Sequence, residues 1–182
     1  HGFQNWGKDH APEINISSAE AVTVIKGSSG VRFGPEGLGG AIIIEPNVIK
    51  LNNPFYLDLG TGFQTNGKGY NFNFKTGTGY KKFGYFLSAD YIKIGDRHAP
   101  SYSLTNSGKE EKALNLGIHY HLKNFDIKMY YSYLDQNLAL LRSSFLHSGE
   151  AISRAISSDE PLYISPFSYK IDEPYQDVAH HF

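Results

Sequence analysis

From Phe55 onward, apolar and polar positions alternate with a period of two through five consecutive segments. Phe55, Leu57, Leu59 and Phe63 share one set; Tyr56, Asp58, Gly60, Gly62 and Gln64 share the other. Tyr70, Phe72 and Phe74 oppose Asn71, Asn73 and Lys75. Phe83, Tyr85, Leu87, Ala89 and Tyr91 oppose Gly84, Phe86, Ser88 and Asp90. Leu114, Leu116, Ile118, Tyr120 and Leu122 oppose Asn115, Gly117, His119 and His121, and Phe125, Ile127, Met129, Tyr131 and Tyr133 oppose Asp126, Lys128, Tyr130 and Ser132. A period of two places each set on one side of a β-sheet. The pattern before Pro54 is different. Val22–Ile25 and Ala41–Ile44 are short, unbroken β-branched runs that predict two buried strands, the second stopped by Pro46, around a glycine-rich loop over Gly27–Gly40. His1–Glu13 reads as loop.

The apolar set carries no charge over these segments, and the opposing set is polar and small, which predicts a wet face. A soluble sandwich also alternates, so length and connectivity decide more. The segments run about ten residues each, the span a tilted strand needs to cross a bilayer. Short connections at Gly79–Lys82 and Lys123–Asn124 fall on one side, and long ones at Gly95–Lys112 and Gln136–Pro174 on the other. Short periplasmic turns with long extracellular loops follow the outer-membrane barrel rule. Helical spacing of Ala151, Ile152, Ala155 and Ile156 predicts a short helix over Gly149–Ser158, and Tyr175–Phe182 predicts a sixth strand.

Composition narrows the classes. The 182 residues include Tyr 13, Phe 12 and Gly 19, a balance suited to strands and tight turns. Net charge is −1 with no basic block, which argues against nucleic acid. Cysteine is absent, so there is no disulfide framework and no thiolate metal site. No 18-residue apolar run predicts a membrane helix. The mean hydropathy of −0.38 is compatible with a membrane barrel, whose strands are only half apolar.

The stretch VTVIKGSSGVRFGPEGLGGAIIIEP resembles the end of the plug domain of TonB-dependent outer-membrane receptors. The matching features are a strand (Val22–Lys26), Gly27, the aromatic–glycine pair Phe33-Gly34, the pair Gly39-Gly40 and the strand Ala41–Ile44, with Arg32 and Glu36 flanking the aromatic–glycine pair. Many relatives carry proline after the first glycine, where Ser28 stands here. The alternating region is similar to the first strands of the barrel that follows the plug. The loop ending EPLYISPFSYKIDEPYQDVAHHF is similar to loops of iron-chelate receptors of Bacteroidetes-type bacteria.

The resemblance implies an all-β transmembrane antiparallel barrel, present in part. Residues 1–50 would be the end of a plug and its linker, and residues 51–182 the first five to six strands, with extracellular loops at about 95–112 and 136–174. It implies location in the outer membrane among lipid and the remainder of the barrel. It also implies uptake of a scarce nutrient, with a ferric siderophore or ferric citrate-type chelate as transported ligand. Energy would come from the TonB–ExbB–ExbD complex through a plug segment that is not in this chain, so a fragment is expected. The alternative reading is a soluble β-sandwich acting as a carbohydrate-binding or adhesion module.

Few residues invite chemistry. Gly27–Gly40 lacks the Gly-Lys-Ser/Thr ending of a phosphate loop. Arg32 and Glu36, inside a plug, would need charge partners on the barrel wall. His119 and His121 share a strand face at a spacing that permits metal binding, and equally suits the lining of a polar lumen. Asp126 and Lys128 are expected to neutralise one another. Arg97, His98, Arg142 and His147 fall at outer strand ends or in the long loops, where an anionic chelate would be met. No nucleophile-elbow or metalloprotease motif appears, and no enzymatic activity is expected.

Overall fold

A computed structural model describes residues 19–47, 49–144, 146 and 148–181. Strands β1 (Ala19–Lys26) and β2 (Gly40–Pro46) form an antiparallel hairpin in the register Val22↔Ile44 and Val24↔Ile42. Two 3-10 segments, Gly27–Phe33 and Pro35–Gly39, fill the connection. Gly27, Gly34 and Gly40 take φ of 71°, 137° and 133°, a region costly for any side chain. The expectation that both strands are buried is corrected. Val24 is 58 % and Ile42 50 % exposed, because no third strand pairs with this hairpin among the described residues.

The strands that follow are β3 (Tyr56–Gln64), β4 (Gly69–Tyr80), β5 (Phe83–Ile94), the two-residue β6 (Arg97–His98) and β7 (Ser103–Leu104), β8 (Lys109–Leu122) and β9 (Phe125–Ala139). A helix α1 (Gly149–Ile156) and strand β10 (Tyr175–His181) complete the chain. The helix forms where its apolar spacing predicts it, and Ser148 Oγ caps it by accepting from Ala151 N at 3.1 Å. Six strands make one open antiparallel sheet in the order β10-β9-β8-β5-β4-β3. The chain is therefore all-β in class. β8 and β9 run further than the alternation indicates, shortening the long loops to 95–108 and 140–174.

The register aligns the apolar residues in rows across the sheet. One row runs Leu57, Thr76, Leu87, Leu116 and Tyr131; the next runs Leu59, Phe74, Ala89, Leu114 and Tyr133. This face is uncovered by any other described element: Leu57, Leu59, Phe63, Phe72, Phe83 and Met129 are all exposed. At about 1.5–3 kcal/mol for each such side chain, six of them in water forgo on the order of 10 kcal/mol, as much as the whole stability of a typical domain. The face is uncharged only up to the row of Ala89, Leu114 and Tyr133; the row of Tyr91 already holds Lys112 and Asp135. Above it, towards the long loops, Lys93 and Lys112 flank Glu110 at 2.5 and 3.5 Å.

The opposite face reverses the expectation of a wet surface. It is the more buried one: Ser88 is 2 %, Asn115 1 % and Gln136 1 % exposed. Its polar groups bond one another. Asn115 Nδ2 donates to Ser88 Oγ at 3.2 Å, while Tyr130 Oη and Ser132 Oγ donate to Asn115 Oδ1 at 3.0 and 2.8 Å. Asn73 Nδ2 donates to Asp90, and Gln136 Nε2 to Glu111 at 2.5 Å. Gly117 leaves room for Phe86 to stack on Tyr130, with ring centroids 6.0 Å apart.

Candidate functional site

The long loops meet at one end of the sheet and are tied together by two buried side chains. Asp96, 2 % exposed, accepts from Ser107 N at 3.1 Å through Oδ1 and from Ser168 N at 3.2 Å through Oδ2. Asn106, 4 % exposed, donates from Nδ2 to the carbonyls of Leu140, Asp172 and Pro174 at 2.9, 2.8 and 2.7 Å. Its Oδ1 accepts from Asp172 N at 3.0 Å, and its backbone sits at φ 58°, where asparagine is among the best tolerated residues. Loop 95–108 and loop 140–174 are thus one platform.

Three of the four candidate ligand residues fall on this platform or beside it. Arg97 and His98 form β6, both exposed, and pair with Leu104 and Ser103 of β7. Asn66, in the β3–β4 turn, grips the His98 backbone by donating to its carbonyl at 3.0 Å and accepting from its N–H at 2.6 Å. The His98 ring stacks on Phe167 at 6.0 Å and shares a bond with Ser103 Oγ at 3.2 Å. Arg97 lines an open cleft of about 550 Å³ with Phe63, Gln64, Thr65 and Asn66. Arg142 N donates to Thr105 O at 3.2 Å, which brings that residue's backbone to the same hairpin, but its guanidinium goes to the Tyr163 ring at 5.8 Å. His147 lies outside the described residues.

At the opposite, tight-turn end, the polar face carries a histidine–aspartate cluster. Asp126 Oδ1 lies 2.9 Å from His119 Nε2 and 2.8 Å from His121 Nδ1. The expected Asp126–Lys128 pair is corrected: in register Lys128 faces His119, and Asp126 faces His121, so the imidazoles reach the carboxylate first. Both ring nitrogens point at the same carboxylate oxygen, so they do not converge on a common metal position. Among the described residues no group of three or more His, Cys, Asp or Glu side chains is arranged to hold a metal ion.

Of the residues that carry the resemblance to a plug, Gly27, Phe33, Gly34, Gly39 and Gly40 shape the β1–β2 connection as turns. Gly30 and Gly37 cross so closely that a side chain on either would strike the other's backbone. The Arg32 guanidinium rests over the Phe33 ring at 4.7 Å instead of on a wall carboxylate, and the Glu36 side chain lies outside what is described.

Sequence reasoning named a linker but not its seat on the sheet. Residues 47 and 49–53 lie along the polar face: Asn53 O accepts from Gly79 N at 2.8 Å and from Thr78 Oγ1 at 3.2 Å, and Ile49 O lies 3.1 Å from His119 Nδ1. The available signal was glycine: alternation assigned Gly84 and Gly117 to the polar side, and Gly77 and Gly79 follow on the same parity of β4. Asp96 and Asn106 carried no periodic signal at all. No family model, curated protein or solved structure matches the chain.

Proposed function

We propose that this chain carries the end of the plug and the first barrel strands of a TonB-dependent outer-membrane receptor. The receptor imports a scarce nutrient, with a ferric siderophore or ferric citrate-type chelate as ligand. The observation that carries the reading is the inverted sheet: its polar face is buried and bonded, and its apolar face is bare. Lipid is the cover such a face fits. Along β8, from Leu114 to Leu122, the uncharged band measures about 26 Å at about 3.3 Å per residue. A tilt of about 40° makes it about 20 Å tall, near the roughly 25 Å band of outer-membrane barrels. Tyr80, Phe83, Tyr120 and Phe125 rim one end and Phe63, Tyr70, Tyr91 and Tyr133 the other, as interfacial girdles do. The free edges at β3 and β10 call for further strands, since an unpaired edge is untenable in lipid.

In this reading the glycine-rich hairpin sits inside the barrel and the loop platform faces outward. Arg97 and His98 meet an anionic chelate there, energy comes from the TonB–ExbB–ExbD complex, and no catalysis is involved. The soluble-sandwich alternative requires a second sheet over the apolar face, and β1–β2 and β6–β7 are too small to supply it. The test is membrane fractionation of the full-length protein, followed by purification with and without detergent. Recovery in the outer-membrane fraction with aggregation on detergent removal is expected. A monodisperse, detergent-free monomer would overturn the reading.

A further inference from the structure

We infer that residues 47 and 49–53 form a stationary strap, seated in a glycine trough on the polar face, and that the β1–β2 hairpin moves against the sheet by hinging at Pro46. The proposal rests on the plug reading for its role and on the geometry alone for its existence. Three strands contribute to the trough. A Cβ at Gly84 of β5 would stand 2.7 Å from Ile49 Cγ2, and one at Gly117 of β8 would stand 2.9 Å from Ile49 Cδ1. A Cβ at Gly79 of β4 would overlap the Lys50 carbonyl and lie 3.0 Å from Leu51 Cα. At Gly79 the strap's own backbone fills the place of a side chain, so only glycine admits it there, while at Gly84 and Gly117 the Ile49 side chain takes up the space that glycine leaves.

Polar contacts fix the strap along its length. Asn47 bonds Tyr56 at the foot of β3, Ile49 O meets His119, and Asn53 O takes donors from Thr78 and Gly79 of β4. The hairpin has much weaker ties. It meets the strap through an ion pair, Lys50 Nζ to Glu20 Oε1 at 3.7 Å, with side chains 69 % and 39 % exposed. Such a solvated pair holds little. Hairpin pairing also becomes irregular where it nears the strap, with a register shift between Ala19 and Ala21 opposite Glu45 and Pro46. A pull on the hairpin thus meets its weakest resistance at Pro46, and the strap keeps the moving part tethered to the wall.

Residue-resolved hydrogen exchange on the full chain under increasing urea tests this. The Gly79 amide, bonded to Asn53 O, should remain at least tenfold more protected than Val24 and Ile42 when the hairpin opens. Loss of protection at all three in one transition would overturn the proposal. Ile49→Gly should lower Gly79 protection at least tenfold and leave the hairpin unchanged; an unchanged Gly79 would mean the trough does not hold the strap. The chain has no cysteine, so Ile49→Cys with Gly84→Cys gives a clean staple, the Cβ at Gly84 lying 2.7 Å from the Ile49 Cγ2 that the first substitution removes. In energised cells carrying the full-length receptor, uptake of a ferric chelate should agree within twofold between oxidised and reduced protein. Uptake lost on oxidation and restored by reductant would show that the strap must leave the wall. A protein that needs no detergent would sink the receptor reading, and the exchange data would still decide the strap.

Discussion

Asn106 offers the sharpest test of the outer platform. Its amide satisfies the Leu140, Asp172 and Pro174 carbonyls, and its Oδ1 satisfies the Asp172 N–H, all at a site 4 % exposed. Asn106→Ala leaves these groups without their donor or acceptor. Each buried group so stranded costs about 1–3 kcal/mol, and some of the carbonyls will regain water as the loop relaxes. Alanine at φ 58° adds about 1–2 kcal/mol. The platform should therefore lose about 3–5 kcal/mol of local stability, which is roughly a hundredfold to a few thousandfold in the opening equilibrium at about 1.4 kcal/mol per tenfold. The assay is hydrogen exchange at the Asp172 amide, with limited proteolysis of loop 140–174 alongside. Asn106→Gly removes the side chain without the backbone strain and should fall below the alanine effect by roughly the strain. Asn106→Asp keeps the shape but points a carboxylate oxygen at the carbonyls, and should be the worst of the three. An Asp172 amide in Asn106→Ala that exchanges within threefold of the unsubstituted chain would refute the reasoning, and would assign the loop junction to Asp96 alone.

Other predictions follow from the same geometry. Leu116→Arg, in the middle of the apolar band, should cost about 2–4 kcal/mol of folding stability in lipid vesicles, measured by denaturant titration; a neutral effect would argue that the face never meets lipid. Arg97→Ala should weaken binding of an anionic ferric chelate roughly tenfold or more, the worth of one charge-assisted hydrogen bond. Arg142→Ala, whose guanidinium is already stacked on Tyr163, should change it less, and equilibrium binding to the detergent-solubilised full-length protein separates the two. Gly117→Val should strike Phe86 and Ile49 and lower the thermal midpoint of the sheet, while Gly39→Ala, which meets nothing within 4 Å, should not. Ser148→Ala should remove the α1 cap at about 1 kcal/mol of helix stability, visible as faster amide exchange within α1 and unaltered exchange in β5 and β8.

Period-two alternation was enough to determine β3, β4, β5, β8 and β9 and their faces, because side-chain direction in a strand depends on parity alone, and helical spacing was enough for α1. The glycine-rich stretch was likewise legible as turns, since positive φ is a local requirement. What alternation could not decide is which face is inside. Burial depends on what lies over a face, and the polar side proved to be the occluded one because its residues bond one another and a strap crosses it. The strap itself has no periodicity. Ile49 and Asn53 matter only because β4, β5 and β8 bring Gly79, Gly84 and Gly117 side by side. Asp96 and Asn106 act on partners 66 to 72 positions away in the chain, a relation that no local pattern encodes. The sequence by itself thus determined strand, turn and parity, which are properties of neighbouring residues. The tertiary structure alone decided the inverted burial, the joined loops and the seated strap, because each depends on distant segments excluding water from one another.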